Sequence, residues 1–299
     1  MNGIFNINKP ADWTSQDVCA KLRGRLHIKK IGHTGTLDPM ATGVLPVCVG
    51  NATRIIEYYD KDKKQYHASM KLGIATDTLD ITGEVLKTGS YSHVTENAVR
   101  EAFKGYMGVV SQVPPKYSAL KVDGKRAYDL ARAGADFEMK ARVIEIYSNE
   151  ITRLDLEKGE IEFDVTCQKG TYIRTICDDI GRKLECGAAM TALIRTASGP
   201  FSIEDAIDIE TLCSMSDEEI EKQLISMPDT LNELGIIVLN DNRVTAFCNG
   251  NSTYLSNCKI IEPTSFDKVY KVYANGEFLG IGEIKEEGLT PVKVLYHSK

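Results

Sequence analysis

Two stretches of the chain alternate apolar and polar residues at the period of a strand. Tyr66, Ala68, Met70 and Leu72 share one face of 66–72, and Ile161, Phe163, Val165 and Cys167 share one face of 161–167. Between them Val99, Ala102, Phe103 and Tyr106 fall at i, i+3, i+4 and i+7 behind Thr95, a candidate N-cap, which predicts an amphipathic helix. Strands and helices are thus mixed without a regular βαβ rhythm, and the expected class is α+β rather than a doubly wound parallel sheet.

Other segments fill in this outline. Residues 4–7 read as a short strand ending at Lys9-Pro10, followed by a helix capped by Thr14 or Ser15 with Val18, Leu22 and Leu26 on one face. Gly32 to Gly43 is a glycine-punctuated loop, and 44–50 an apolar strand whose Pro46 implies an edge or irregular pairing. Residues 125–133 read as a short helix closed by Gly134. The acidic stretch from 202 to about 234 reads as helical, broken at Pro228. Beyond it, two β-rich runs meet at Asn275-Gly276, a strong hairpin signal. We place a small all-β domain there, giving a division into 1–234 and 235–299. A length of 299 residues suits roughly two domains of about 150.

With 42% hydrophobic and 26% charged residues, the chain is not disordered, collagen-like or a coiled coil. No apolar run reaches the length of a membrane span, and the start, MNGIFNINKPADW, lacks the basic and apolar regions of a secretory signal. The eight cysteines form no C-x-x-C pair and read as reduced thiols of a cytoplasmic protein. A net charge of −6 argues against a nucleic-acid partner until its distribution is considered. Residues 202–233 hold ten acids and one base; without them, the 36 basic and 42 acidic residues of the chain become 35 and 32. The remainder can therefore carry a basic face.

No Walker loop, dinucleotide fingerprint, EF-hand or histidine cluster is present, so neither a nucleotide cofactor nor a metal is suggested. The densest segment is Gly32 to Gly43. Its three glycines allow unusual backbone angles and close approach of a ligand, and Pro39 biases Asp38 toward an extended conformation. A rigid loop ending in a fixed carboxylate suits a nucleophile or a base, although Asp-Pro also simply opens turns. Upstream, Lys21, Arg23, Arg25, Lys29 and Lys30 suit phosphate contacts or a solvated helix face. Lys61, Lys63, Lys64 and Lys71 flank Tyr66, while Lys116, Lys121, Lys125 and Arg126 flank Tyr117 and Tyr128. Such interleaving suits an unstacked base. The segment 169–175 reads as the end of a strand that points Tyr172 and Arg174 to one side, with Arg174 able to grip a carboxylate bidentately.

Five motifs then occur in order: Asn8-Lys9-Pro10-x-x-x-Thr14-Ser15, GHTGTLDPMATGVLPVCVGNATR (32–54), PPKYSALKVDGKRAYDLAR (114–132), KGTYIRT (169–175) and MTALIRTASGPF (190–201). Together they resemble the TruB-type pseudouridine synthases of bacteria, and 269–295 is similar to that family's C-terminal PUA domain. The resemblance implies a mixed, largely antiparallel central sheet flanked by helices, plus a PUA-like RNA-binding domain. It implies an isomerase that converts the T-loop uridine of tRNA, position 55, to pseudouridine by breaking N1–C1′ and joining C5 to C1′. No cofactor is needed for that redox-neutral change. By the same resemblance Asp38 is the catalytic aspartate, acting at C1′, at C6 or on the C2′ proton. Tyr66 stacks on the target base, and Arg174 pairs with Asp38. Tyr172 and Leu193 line the pocket, while His33 and Lys9 hold the substrate side of the loop. The partner is the tRNA T-arm, with no membrane and no obligate protein partner, and a monomer is expected. The short segment before Lys9 resembles the stand-alone enzyme rather than its guide-RNA-dependent relatives. A tRNA-binding or folding module without catalysis is the remaining alternative.

Overall fold

The structure is a computed structural model that describes residues 1–59, 63–264, 268–286 and 288–296; Lys61, named above, lies outside them. The chain begins with β1 (Gly3–Lys9), α1 (Ser15–Leu26), β2 (Ile31–His33), β3 (Thr42–Val49), β4 (Lys64–Leu72), β5 (Ile74–Thr76) and β6 (Val85–Thr88). Next come α2 (Glu96–Lys104), β7 (Gly108–Gln112), β8 (Lys121–Val122), β9 (Lys125–Arg126), α3 (Ala127–Arg132), β10 (Arg142–Asp155) and β11 (Glu160–Cys167). They are followed by α4 (Ile173–Lys183), β12 (Ala188–Ser198), β13 (Phe201–Ser202), β14 (Ile207–Asp208), α5 (Ile209–Ser214) and α6 (Asp217–Lys222). Last are β15 (Gly235–Leu239), α7 (Val244–Cys248), β16 (Cys258–Glu262), β17 (Val269–Ala274), β18 (Glu277–Lys285) and β19 (Gly288–Val294).

The main sheet runs β14-β1-β3-β12-β4-β11-β10-β7, with β2 added to β3 and β13 to β12. Only β1 with β14 and β3 with β12 pair in parallel, so the sheet is mixed and largely antiparallel. The two alternating stretches lie side by side as β4 and β11, with Tyr66 opposite Val165 and Ala68 opposite Phe163. Their apolar faces merge into one core, where Phe163 meets Phe103 of α2 edge-on at 5.1 Å. Helix α4 covers the same face because Ile173, Ile176, Cys177 and Ile180 fall on one buried stripe. Helix α1 starts as its sequence predicts, with Thr14 and Asp17 forming a reciprocal capping box. Pro46 stands where the second edge of β3 passes from β12, paired at 42–43, to β2, paired at 47–49. That is the irregular pairing a proline requires.

Three local expectations are corrected. The acidic stretch is not one helix: β14 joins the sheet, and α5 and α6 are six residues each, interrupted at Met215 and Ser216. Ser216 caps α6 and so ends one helical run by starting another. Lys21 and Arg25 face the acidic segment, Lys21 pairing with Glu210 at 3.2 Å and Arg25 with Asp217 at 2.7 Å. Arg23 donates to the Ile31 carbonyl. The acidic segment is thus the electrostatic partner of α1. The helix expected at 125–133 begins only at Ala127, after the two-residue strand β9.

Residues 235–294 form a second sheet, β16-β15-β17-β18-β19, with the five-residue α7 on it, consistent with a PUA-like fold. Asn275 (φ 50°) and Gly276 (φ 76°) make the expected hairpin turn between β17 and β18. This sheet has its own core around Ile237, Phe247, Val272 and Leu289. Its outer residues Ile281 and Leu295 join a second cluster with Ile4, Val44, Ile55 and Phe201 of the main body. Removing residues 236–299 would therefore bare an apolar surface of the main body as well as remove the second sheet. No helix among the described residues is long and apolar enough to cross a membrane.

Candidate active site

The loop 34–41 joins β2 to β3 and carries Asp38 with its side chain about one-third exposed. Both flanks of Asp38 are tied down. The buried Ser15 hydroxyl, at the start of α1, accepts from Leu37 N at 2.9 Å and lies 3.3 Å from Leu37 O. Lys9, fully buried at the end of β1, donates from Nζ to the carbonyls of Pro10 (2.8 Å), Trp13 (2.6 Å) and Pro39 (3.1 Å). All three ammonium hydrogens are thereby committed. Lys9 braces the loop from behind and does not reach a substrate, which corrects the substrate-side place expected for it.

The loop closes on the sheet at Gly43. Its φ is +98°, and a Cβ there would sit 2.3 Å from the backbone oxygen of Arg195 on β12. Only glycine fits both constraints.

Arg174 meets Asp38 from the opposite side. The expected strand end at 169–175 is a turn followed by a helix: β11 stops at Cys167, Gly170 takes φ +89°, Tyr172 is the N-cap of α4 and Arg174 lies in its first turn. The guanidinium is nearly fully buried, with Nε 2.9 Å from Asp38 Oδ2. Its N–H is not aligned on that oxygen, so the contact is a one-nitrogen ion pair rather than the bidentate fork expected. The other nitrogens are used elsewhere. Nη1 donates to Thr78 O at 2.8 Å and lies 3.5 Å from Asp80 Oδ2, and Nη2 donates to Tyr117 O at 3.1 Å. Asp80, almost fully buried, is itself held by the Thr78 and Thr82 hydroxyls and by Thr82 N. Arg174 is therefore fixed by four groups. Asp38 Oδ1 accepts no hydrogen bond from the described residues.

Tyr66 on β4 stands opposite Arg195 of β12. Burial pushes the Tyr66 phenol up, against the pull of the Arg195 charge. Leu193, opposite Ala68, is 7% exposed and belongs to the core beneath the pocket. Tyr172 lies in the field of both Asp38 and Arg174, and a reciprocal pair of bonds from Gln112 holds its backbone: Tyr172 N donates to Gln112 Oε1 at 2.8 Å, and Gln112 Nε2 donates to Tyr172 O at 3.0 Å.

His33 lines a groove of about 670 Å³ that also takes in Thr36, Arg54, Ile56, Lys169 and Lys293. Burial and the charges of Arg195, Lys169 and Arg23 lower its imidazole pKa and favour the neutral ring. Gln16 Nε2 lies 3.2 Å from His33 Nε2, and the buried Nδ1 has no partner among the described residues.

Residues missed in the sequence are Arg195, Asp80 and Ser15 as structural members of the site. Arg195 carried a signal, an arginine inside the apolar run of 190–201. Asp80 carried none, since its role depends on where α4 delivers Arg174. Among the tyrosine-flanking bases, Lys64 is buried against Ser198 and Lys71 pairs with Glu160, so neither lies beside a base-binding face.

Burial lowers the Lys9 pKa from 10.5 to about 8. Below pH 8 the group is charged in folded and unfolded chains alike, and its effect on stability does not change with pH. Between about 8 and 10.5 the unfolded chain holds a proton that the folded chain has released, so this group makes stability rise with pH. Melting curves from pH 7 to 10 should show a steeper rise for the parent than for Lys9→Met; parallel curves would mean that Lys9 titrates normally.

Residues 23–173 match the model of the TruB family pseudouridylate synthase N-terminal domain, and 174–233 that of the tRNA pseudouridylate synthase B C-terminal domain. The tRNA pseudouridine synthase B of Clostridium perfringens (strain SM101) is 46% identical over 296 residues, covering 99% of each chain. That of Clostridium kluyveri is 44% identical over 98% of this chain and 99% of its own. Among solved structures, a Cbf5-Nop10-Gar1 complex matches with a TM-score of 0.75 at 26% identity, over 98% of this chain and 84% of that one. The family models and the relatives show that this chain belongs to the TruB family of pseudouridylate synthases.

Proposed function

We propose that this chain converts the T-loop uridine at position 55 of tRNA to pseudouridine, with Asp38 as the reacting carboxylate and Tyr66 and Arg174 as its partners in catalysis. The observation that carries the reading is the setting of Asp38. One oxygen is held by a buried guanidinium, the other is open, and the loop is tied on both sides. Such a carboxylate is oriented before a substrate arrives, which is what attack at an anomeric carbon or removal of a neighbouring proton demands.

The target uridine lies inside a folded loop and has to be turned out of its stack, at a cost of a few kcal/mol. Tyr66, opposite Arg195 in the sheet, would offer a ring face to the extruded base. The groove of His33, Arg54, Lys169 and Lys293 lies next to the loop, with Lys293 paired to Glu57 at 2.8 Å and Arg54 donating to the Val294 carbonyl, and would face the RNA backbone there. Residues 1–234 would hold the catalytic centre, and 235–299, which contribute Lys293, would serve as a PUA-like RNA-binding unit. Acting on tRNA, the enzyme would work in the cytoplasm, alone and as a monomer.

The likeness to a Cbf5 complex favours a second reading, a synthase that needs a guide RNA and partner proteins. The tRNA pseudouridine synthase B relatives, much closer in sequence, weigh against it.

The test is to incubate the lone protein with unmodified tRNA transcript and map pseudouridine by carbodiimide-dependent stops of primer extension. One stop at position 55, absent from a transcript carrying cytidine there, is the expected result. Stops at other uridines, or modification only with added proteins, would overturn the proposal.

A further inference from the structure

The groove beside the Asp38 loop is built by two parts of the chain. His33 and Thr36 come from the connection between β2 and β3, Arg54 and Glu57 from the 3₁₀ segment Gly50–Tyr59, and Lys293 from β19 of the second sheet. Both walls are fixed. Ile55 and Tyr59 of the 3₁₀ segment pack with Ile281 and Leu295 of the second sheet, and the Tyr59 and Thr230 hydroxyls lie 2.6 Å apart. On the other wall β19 is laddered to β18, with Lys293 opposite Ile281 and Val294 opposite Gly280. Adjustment across the groove is left to side chains.

Two polar contacts span this seam, and they differ in kind. Arg54 Nη1 donates to the Val294 carbonyl at 2.5 Å, and Lys293 Nζ pairs with Glu57 Oε1 at 2.8 Å. The first has a neutral backbone acceptor. The second joins two charged side chains of unequal exposure, 25% for Lys293 and 60% for Glu57. Opening it returns the carboxylate to water that already surrounds most of it, a small loss for an ion pair at the surface. It leaves the more covered ammonium without a counter-ion, a setting that favours another anion. Glu57 is also the one acid among the described residues lining the groove, against Arg54, Lys169 and Lys293. A carboxylate there opposes a polyanion.

We propose that Glu57 stands in for a phosphate: it occupies Lys293 in the free protein, and a backbone phosphate of the bound tRNA displaces it and takes the ammonium in its place. This rests on the reading of the groove as a surface that faces RNA. One anion replaces another on the same cation, so no covalent bond or proton moves. Arg54 keeps its carbonyl and holds the seam through the exchange. The consequence is selectivity. RNA that enters the groove without placing a phosphate at Lys293 meets the Glu57 charge still in position. RNA seated with its uridine at Asp38 and a phosphate at Lys293 lets the carboxylate turn away. Glu57 thus lowers affinity for every RNA, and least for one in register.

The experiment measures equilibrium binding of the full chain to a tRNA transcript with cytidine at position 55, so that binding is followed without reaction. Glu57→Gln should tighten binding about threefold, because no pair has to open. Lys293→Met should weaken it on the order of fivefold and flatten the slope of log K against log salt by about 0.7–0.9, one phosphate contact. Lys293→Arg should restore the affinity of the parent. In the Lys293→Met background the gain from Glu57→Gln should be smaller than in the parent, since the pair is already gone. Transcript alkylated with ethylnitrosourea and sorted into bound and free fractions locates the contact. One phosphate should be sensitive with the parent and with Lys293→Arg, and insensitive with Lys293→Met.

Melting curves check that each variant is folded; if Lys293→Met is not, Lys293→Gln replaces it. A pair that merely ties the two units together gives the opposite pattern, with both single variants melting lower and neither binding more tightly. That pattern would overturn the proposal, as would an equal gain from Glu57→Gln with and without Lys293, or an alkylation map unchanged by Lys293→Met. A parent that shows the exchange but forms no pseudouridine on tRNA with uridine at position 55 would leave the proposal standing and overturn the proposed reaction instead.

Discussion

Asp38→Asn is expected to give a folded protein that binds tRNA as tightly as the parent and forms no pseudouridine. Asparagine keeps the shape of the side chain, and the ties from Ser15 and Lys9 run to the backbone of Leu37 and Pro39. The loop should therefore keep its conformation. With Asp38 about one-third exposed, losing its ion pair to Arg174 should change stability by only about 1 kcal/mol after solvent screening. The chemistry is a different matter. An amide is neither a nucleophile toward C1′ nor a base toward C2′–H, so the single-turnover rate should fall by at least about 10⁴-fold. Filter binding and single-turnover assays on the same preparation separate the two effects. Turnover near the parent's rate would remove Asp38 from the reaction.

Arg174→Lys should be nearly as damaging, for a structural reason the sequence did not contain. The guanidinium reaches Asp38, Asp80, Thr78 O and Tyr117 O from four directions. A lysine keeps the charge but presents its three hydrogens from one point and cannot reach all four. At least one buried acceptor is left unpaired, at about 1–3 kcal/mol. Since Asp80 is buried, we expect that cost in the melting temperature as well as in the rate. The rate at saturation should fall on the order of 10²-fold or more, because Asp38 loses the group that fixes it. Arg174→Met, which leaves two carboxylates facing no cation, should cost about 3–5 kcal/mol in stability. Parent-like melting and kinetics for the lysine variant would show that the four-way contact is incidental.

These outcomes also mark what was readable in the sequence. Features set by neighbouring residues were legible: the alternation of β4 and β11, the Thr14 cap of α1, and the Asn275-Gly276 turn all follow from a few adjacent side chains. The Asp38 loop was legible because Gly32 to Gly43 concentrates glycine and an Asp-Pro step in twelve residues. The links between distant segments were not. Tyr66 and Arg195 meet only because β4 and β12 pair in one register, and that register appears in neither strand alone. Arg174 was placed at a strand end because 169–175 contains β-branched residues and tyrosine. Gly170 ends the extended run, and the apolar stripe Ile173, Ile176, Cys177, Ile180 then wins as a helix. The acidic segment was misjudged for a related reason. Its charges suggested a solvated helix, whereas Glu210 and Asp217 answer Lys21 and Arg25 of α1, a pairing nearly two hundred residues apart.

The central claim is that the lone chain rearranges a tRNA uridine through Asp38. It is tested most directly by tritium release from a tRNA transcript labelled at uracil C5, using purified protein alone. Joining C5 to C1′ displaces the hydrogen at C5, so each turnover frees one tritium. The account predicts release of one tritium per tRNA at completion, arising from the T-loop, and none from the Asp38→Asn protein. Tight binding of the same tRNA with no release by the parent would contradict it.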